Sequence, residues 1–139
     1  MTDVTSTTFD DAHAIVNDAL VAIRAGDPEP WIQCWADSED VTLFGAWGPV
    51  EKGHDRLVQT FRWVGNRFKS GTVVVEDTVA FQSGDLAYTV GFEHGEAAID
   101  ADATQPLPIR VTHVYRRFDG QWRLVHRHAD FPPEDPRLR

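Results

Sequence analysis

The chain has 139 residues, of which 42% are hydrophobic, 25% charged and 11% aromatic, an ordinary globular composition that supports one core and one domain over 1–139. Its net charge of -9 repels phosphate backbones and anionic lipid, so neither nucleic acid nor a membrane is an expected partner. Cys34 is the only cysteine, which rules out an intramolecular disulfide and a thiolate metal cluster. No stretch approaches the roughly 20 apolar residues of a membrane span, and Met1 to Thr8 is polar without a basic segment leading into an apolar run, so a cytoplasmic soluble protein is expected.

The first helix is predicted to begin at Thr8, whose hydroxyl can cap free N–H groups, with Asp10 and Asp11 at the positive end of the dipole. Ala12, Ile15, Val16, Ala19, Leu20 and Ile23 recur at helical spacing and form one apolar face, until Gly26 offers a left-handed stop. Asp27-Pro28 starts a short second helix, with Trp31, Cys34 and Trp35 at i, i+3 and i+4. A brief strand over Val41 to Phe44, a turn from Gly45 to Pro49 carrying Trp47, and a returning segment at Val50 to Lys52 come next. A third helix is expected from His54 to Phe68, because Leu57, Phe61, Val64 and Phe68 stay on a single face.

The remainder reads as β. Strands are expected at Thr72 to Phe81 and Leu86 to Glu96, separated by a Ser83-Gly84 turn, with a bulge at Gly91 to bend the sheet. Ala97 to Leu107 is expected as a loop, and the acidic stretch Ala98 to Pro108 as an exposed loop or a flap over the mouth. The chain closes with a hairpin, V-T-H-V-Y-R-R-F and Q-W-R-L-V-H-R-H-A-D joined at Asp119-Gly120, a dipeptide suited to a tight turn. Residues 1–7 and 132–139 are expected as flexible or subunit-contacting tails.

Three helices interrupted by a small β element and followed by four long strands resemble the nuclear transport factor 2-like superfamily over nearly the whole chain. G-D-L-A-Y-T-V-G from Gly84, and P-I-R-V-T-H-V-Y-R-R-F-D-G-Q-W-R-L-V-H-R-H-A-D from Pro108, resemble its SnoaL-like group. The resemblance implies an α+β fold, a cone-shaped curved antiparallel sheet wrapped around three N-terminal helices. It also points to the ketosteroid isomerases, polyketide cyclases, dehydratases and binding proteins that share this fold, among which fold alone does not choose. The isomerase base follows the first short strand, where V-T-L-F-G-A-W-G carries no acid, and the second isomerase acid falls among Thr112, His113 and Val114, so neither carries over. The cyclases place a carboxylate near the last strands, where Asp130 is the candidate.

Strand periodicity puts His126 and His128 on one face. Two registers of the hairpin are open. A one-residue bulge at the Phe118-Asp119-Gly120 turn would bring Arg110, Thr112, His126 and His128 together inside the cone, whereas a direct two-residue turn would pair His113 with His126 and Tyr115 with Leu124. We carry the first forward, with His126 and His128 as acid and base, Asp130 as the carboxylate, and Arg110 fixing an anionic or enolate oxygen. The same imidazoles can instead be structural groups bonded to Thr112, Tyr115 or backbone.

The expected substrate-binding set is Trp31, Trp35, Phe44, Trp47, Trp63, Tyr88, Thr112 and His113, an aromatic surface for an apolar ligand at a mouth between the short tryptophan helix and the ends of the last strands. H-x-H-x-D at 126–130 has a spacing that would serve a divalent ion with His113 as fourth ligand, but no metal and no organic cofactor is expected. Cys34 is expected as a buried small hydrophobe. Glu93 and His94 face opposite sides of their strand, so at most one enters the cavity. Arg116, Arg117, Arg123 and Arg127 are expected as a basic outer side of the hairpin. These features point to a lyase, isomerase or cyclase acting on a hydrophobic oxygenated small molecule, or to a non-catalytic ligand-binding or adaptor module of the same fold. A homodimer through the outer face of the sheet is expected in either case.

Overall fold

The computed structural model describes residues 8–133. The Thr8 hydroxyl accepts from the Asp11 backbone N–H at 3.0 Å and caps α1 (Phe9–Arg24), as its spacing predicts. Ala12, Val16, Ala19, Leu20 and Ile23 are buried, but Ile15 is 45% exposed. It lies on the flank of the helix away from His13 and Arg24, whose side chains reach the sheet. The His13 ring joins Asp77 Oδ2 at 2.6 Å and the Tyr115 hydroxyl at 3.2 Å, tying α1 across two strands.

Helix α2 (Glu29–Gln33) is capped by Pro28, with Asp27 Oδ1 accepting from the Glu29 N–H at 3.1 Å. Cys34 and Trp35 therefore fall just past the helix, where backbone bonds from Leu124 N–H to Cys34 C=O and from Ala36 N–H to Leu124 C=O fasten this segment to the last strand. Cys34 is buried, and burial pushes its thiol up to about 12, as an inert core group requires. Strands β1 (Thr42–Phe44) and β2 (Val50–Lys52) flank the turn, and α3 (His54–Arg67) turns Leu57 and Phe61 inward. The helix ends one residue earlier than its apolar spacing predicts, because Phe68 is already extended and opens β3 (Phe68–Gly71).

The remaining strands are β4 (Val74–Ser83), β5 (Leu86–His94), β6 (Glu96–Ile99), β7 (Gln105–Pro106), β8 (Ile109–Phe118) and β9 (Gln121–Asp130). The main sheet has the order β2-β1-β9-β8-β5-β4, and β1 runs parallel to β9, so the expected antiparallel sheet is mixed. A smaller sheet, β3-β6-β7, takes up both ends of the stretch expected as a loop. Its strands are only two to four residues long, and no alternation announces them. The fold is the α+β cone of the expectation, with the helices packed on the concave face. The expected tails, apart from Pro132 and Pro133, lie outside the described residues.

Gly91 marks the bend, but the extra residue is Thr78 on the neighbouring strand, since Asp77 pairs with Gly91 and Val79 with Val90. A Cβ at Gly91 would lie 2.1 Å from the Glu76 carbonyl oxygen, so the bulged strand can cross here only over glycine.

The terminal hairpin decides which residues enter the cone. Asp119 and Gly120, at φ 50° and 81°, form a direct two-residue turn, and Tyr115 pairs with Leu124. A bulge then falls in β9 between Leu124 and His126, so that Val114 pairs with His126, His113 with Arg127 and Thr112 with His128. Each of the two expected registers therefore describes one half of the hairpin.

Candidate functional site

The inward face of β8 carries Ile109, Val111, His113 and Tyr115, and that of β9 carries Trp122, Leu124, Arg127 and Ala129. This is the more apolar of the two faces, and burying it removes the larger hydrocarbon area from water. Arg110, Thr112, His126 and His128 do share a face, as expected, but it is the outer one, which corrects their placement inside the cone. There Thr42 Oγ1 lies 2.7 Å from His126 Nδ1, and Phe44 packs edge-on against both imidazoles. Burial by these neighbours lowers the His126 pKa. Arg110 grips Asp130 through two bonds of 2.7 Å, which hold this carboxyl below the usual carboxylate range. Because His113 faces inward, it cannot join His126 and His128 around one ion.

Inside the cone lies a cavity of about 90 Å³. Leu20 and Ile23 of α1, Phe61 and Val64 of α3, and Leu107 and Ile109 near the start of β8 form its aliphatic and aromatic walls. Trp31 and Trp47 line it together with Phe68. Trp47, half-exposed, is held in place by Arg67, whose guanidinium lies 4.2 Å from the ring centre and bonds Asp100 at 3.0 Å. Part of the expected flap is thus tied to the end of α3.

Three charged groups face this apolar space: Arg24, Glu93 and Arg127. Glu93, 1% exposed, takes the inward position that the sequence left open, while His94 points out to Glu76. Arg127 Nη1 donates to Glu93 Oε2 at 2.6 Å and Nη2 to Oε1 at 3.0 Å, a forked pair. Arg127 Nη1 also lies 2.9 Å from His113 Nε2; since arginine only donates, Nε2 accepts and the His113 proton sits on Nδ1. Burial, and then the charge of Arg127, lower the His113 pKa well below its ordinary value, so the ring is neutral. The Arg127 guanidinium lies 5.5 Å from the Trp31 ring centre. Arg24, 3% exposed, donates to the Thr72 and Leu107 carbonyls at 3.0 and 3.1 Å and lies 3.8 Å from Glu93 Oε1.

Of the expected binding set, Trp31 and Trp47 line the cavity and His113 supports Arg127 from behind. Trp35 is buried beside Trp31 in the core, Trp63 is a surface ring against Trp47, and Phe44, Tyr88 and Thr112 lie on the outer sheet face. Arg127, expected on the basic outer side, is corrected to the interior. Arg24 was not singled out by the sequence reading, although its i+4 spacing from Leu20 continues a flank of the buried face.

The SnoaL-like domain family matches residues 12–134 of this chain. No curated protein matches it. Among solved structures, a protein provisionally described as a calcium/calmodulin-dependent protein kinase type II association domain from Thiobacillus denitrificans is 20% identical, with a TM-score of 0.76 over 94% of this chain and 100% of that one. A nuclear transport factor 2-like superfamily protein from Salmonella enterica is 18% identical, with a TM-score of 0.74 over 91% and 95%. A ketosteroid isomerase-like protein from Erwinia carotovora is 21% identical, with a TM-score of 0.72 over 90% and 100%.

Replacing Arg127 by Met removes the fork on the Glu93 carboxylate, leaving it only Arg24 at 3.8 Å, and is expected to cost about 3–5 kcal/mol in urea unfolding at neutral pH, with little of the loss recovered when Glu93→Leu is added, because Arg24 is then buried without a counter-charge. A single-variant loss below ~1 kcal/mol would mean that water screens the pair. The match over 12–134 places the chain in the SnoaL-like domain family, and its helix-filled cone is the fold of the nuclear transport factor 2-like structures.

Proposed function

We propose that the protein binds a small organic molecule in the cone, with the ligand's apolar part against Trp31, Phe61 and Phe68 and its polar end against Arg127 and Arg24. The observation that carries this reading is the charged cluster itself. A buried guanidinium pair around one carboxylate opens onto an apolar cavity instead of being packed over. Polar groups converging on an otherwise hydrophobic concavity are the common anatomy of a ligand site.

Proton transfer on the bound molecule is the second reading, of the isomerase kind that the description of the Erwinia carotovora protein suggests. Glu93 favours it, as the carboxylate that lines the cavity. His126 and His128 have no part in either reading, because the sheet separates them from the cavity. We also propose a homodimer seated on the outer sheet face, where Phe44, Phe81, Leu86, Tyr88 and Val90 are exposed. Arg110 and Asp130 on that face neutralise each other, so this pair adds no net charge where two acidic copies approach.

A thermal-shift screen of small metabolites tests the first reading. A ligand at about 100 times its Kd should stabilise the protein by ~2.7 kcal/mol, and Val64→Phe, which fills the cavity, should remove that gain. Equal stabilisation of both proteins would put the ligand elsewhere, and a screen without a cavity-dependent stabiliser would contradict the proposal. Incubating the ligand with protein in heavy water separates the two readings, since deuterium entering a carbon position marks proton transfer and an unchanged ligand marks binding alone. For the dimer, sedimentation should give twice the chain mass for the wild type and the single-chain mass for Tyr88→Lys; a monomeric wild type or a dimeric variant would refute it.

A further inference from the structure

The charge inside the cone is unbalanced. Arg24 and Arg127 each carry a positive charge, Glu93 supplies one negative charge, and His113 is neutral. Both Glu93 oxygens are already engaged by the Arg127 fork, and Arg24 stands 3.8 Å off the same carboxylate with carbonyl oxygens as its close partners. Arg24 therefore has carbonyl dipoles, but no carboxylate of its own, against a full charge in a low-dielectric site. An unpaired buried cation is costly, and the cost falls when an anion joins it.

Donor numbers agree. A guanidinium has five N–H donors; among the described residues, Arg24 uses two and Arg127 three on protein acceptors. Both residues line the cavity, so the remaining donors belong to groups that a bound acceptor can meet.

Size restricts what the acceptor can be. The cavity of about 90 Å³ is smaller than the ~150 Å³ that holds the six carbons of benzene in an engineered core, which leaves room for about four or five heavy atoms, a carboxylate with a chain of one or two carbons. A steroid or a fused polyketide does not fit without displacing Trp47. We propose that the ligand is a short-chain monocarboxylate, its carboxylate bridging Arg24 and Arg127 and its alkyl chain lying against Trp31 and Phe61. The assignment rests on the cavity being the ligand site and adds the chemical class.

The test is a titration of the full chain with acetate, propionate, hexanoate, propionamide and 1-propanol at constant ionic strength, followed by NMR of the Trp31 and Trp47 indole N–H signals. Propionate should bind at least tenfold more tightly than propionamide, and hexanoate more weakly than propionate. Arg24→Met should bring the acid-to-amide ratio close to one while 1-propanol still binds; if that variant does not fold, the wild-type ratio decides alone. Equal affinity for acid and amide would overturn the carboxylate assignment and leave the cavity as a ligand site. Indole signals unmoved by all five compounds at tens of millimolar would overturn both.

Discussion

The fork between Arg127 and Glu93 sets much of the remaining geometry. It joins β9 to β5 across the interior face of β8, and Arg24 brings the end of α1 to the same point. Trp31 closes the group from α2, with its ring against Arg127 and His113. Charges this deeply buried persist only with partners in good geometry. Moving any of these elements by an ångström or more would break these bonds and leave a charge unmet, so the cluster acts as a register mark for the helices.

The two faces of the last hairpin have separate tasks because of this arrangement. Inward, the strands supply the cluster and the cavity wall. Outward, His126 and His128 meet Phe44 and Thr42, and the Arg110–Asp130 pair lies beside them among exposed aromatic and aliphatic side chains. Imidazoles in such a place suit contact with another protein surface better than proton transfer to a ligand on the far side of the sheet. The α+β cone thus hosts a ligand reading on one face and an association reading on the other, both carried by the same two strands.

Much of the fold was legible in the residues. The Thr8 cap, the apolar faces of α1 and α3, the Asp119-Gly120 turn and the bend at Gly91 all follow from local physics, and each occurs at or beside its expected place. The site was harder to read, for a specific reason. One extra residue in β9, Val125, reverses the inside and outside of everything between it and the end of the strand, and no glycine or proline announces it. With the turn and the bulge both known, Arg127 falls inside and His126 outside. A one-residue bulge placed at the turn put Arg110, Thr112, His126 and His128 inside and left Arg127 outside, whereas the alternation of Ile109, Val111, His113 and Tyr115 against Leu124 and Ala129 favours the face that was built. Glu93 was left open because its partners come from elements far apart in the chain.

The central claim is that His113 and Arg127 lie together inside the cone while His126 and His128 lie outside, and a pH titration of the imidazole nitrogens by NMR tests it most directly. Burial and the neighbouring Arg127 charge lower the His113 pKa in the folded state, so its proton uptake is displaced below the ordinary value of about 6.5 and favours unfolding as the pH falls. The account predicts that His113 stays neutral, with its proton on Nδ1, through pH values at which an exposed histidine charges. A His113 signal that titrates near 6.5 with solvent-exposed exchange would contradict it, and with it the assignment of the interior face.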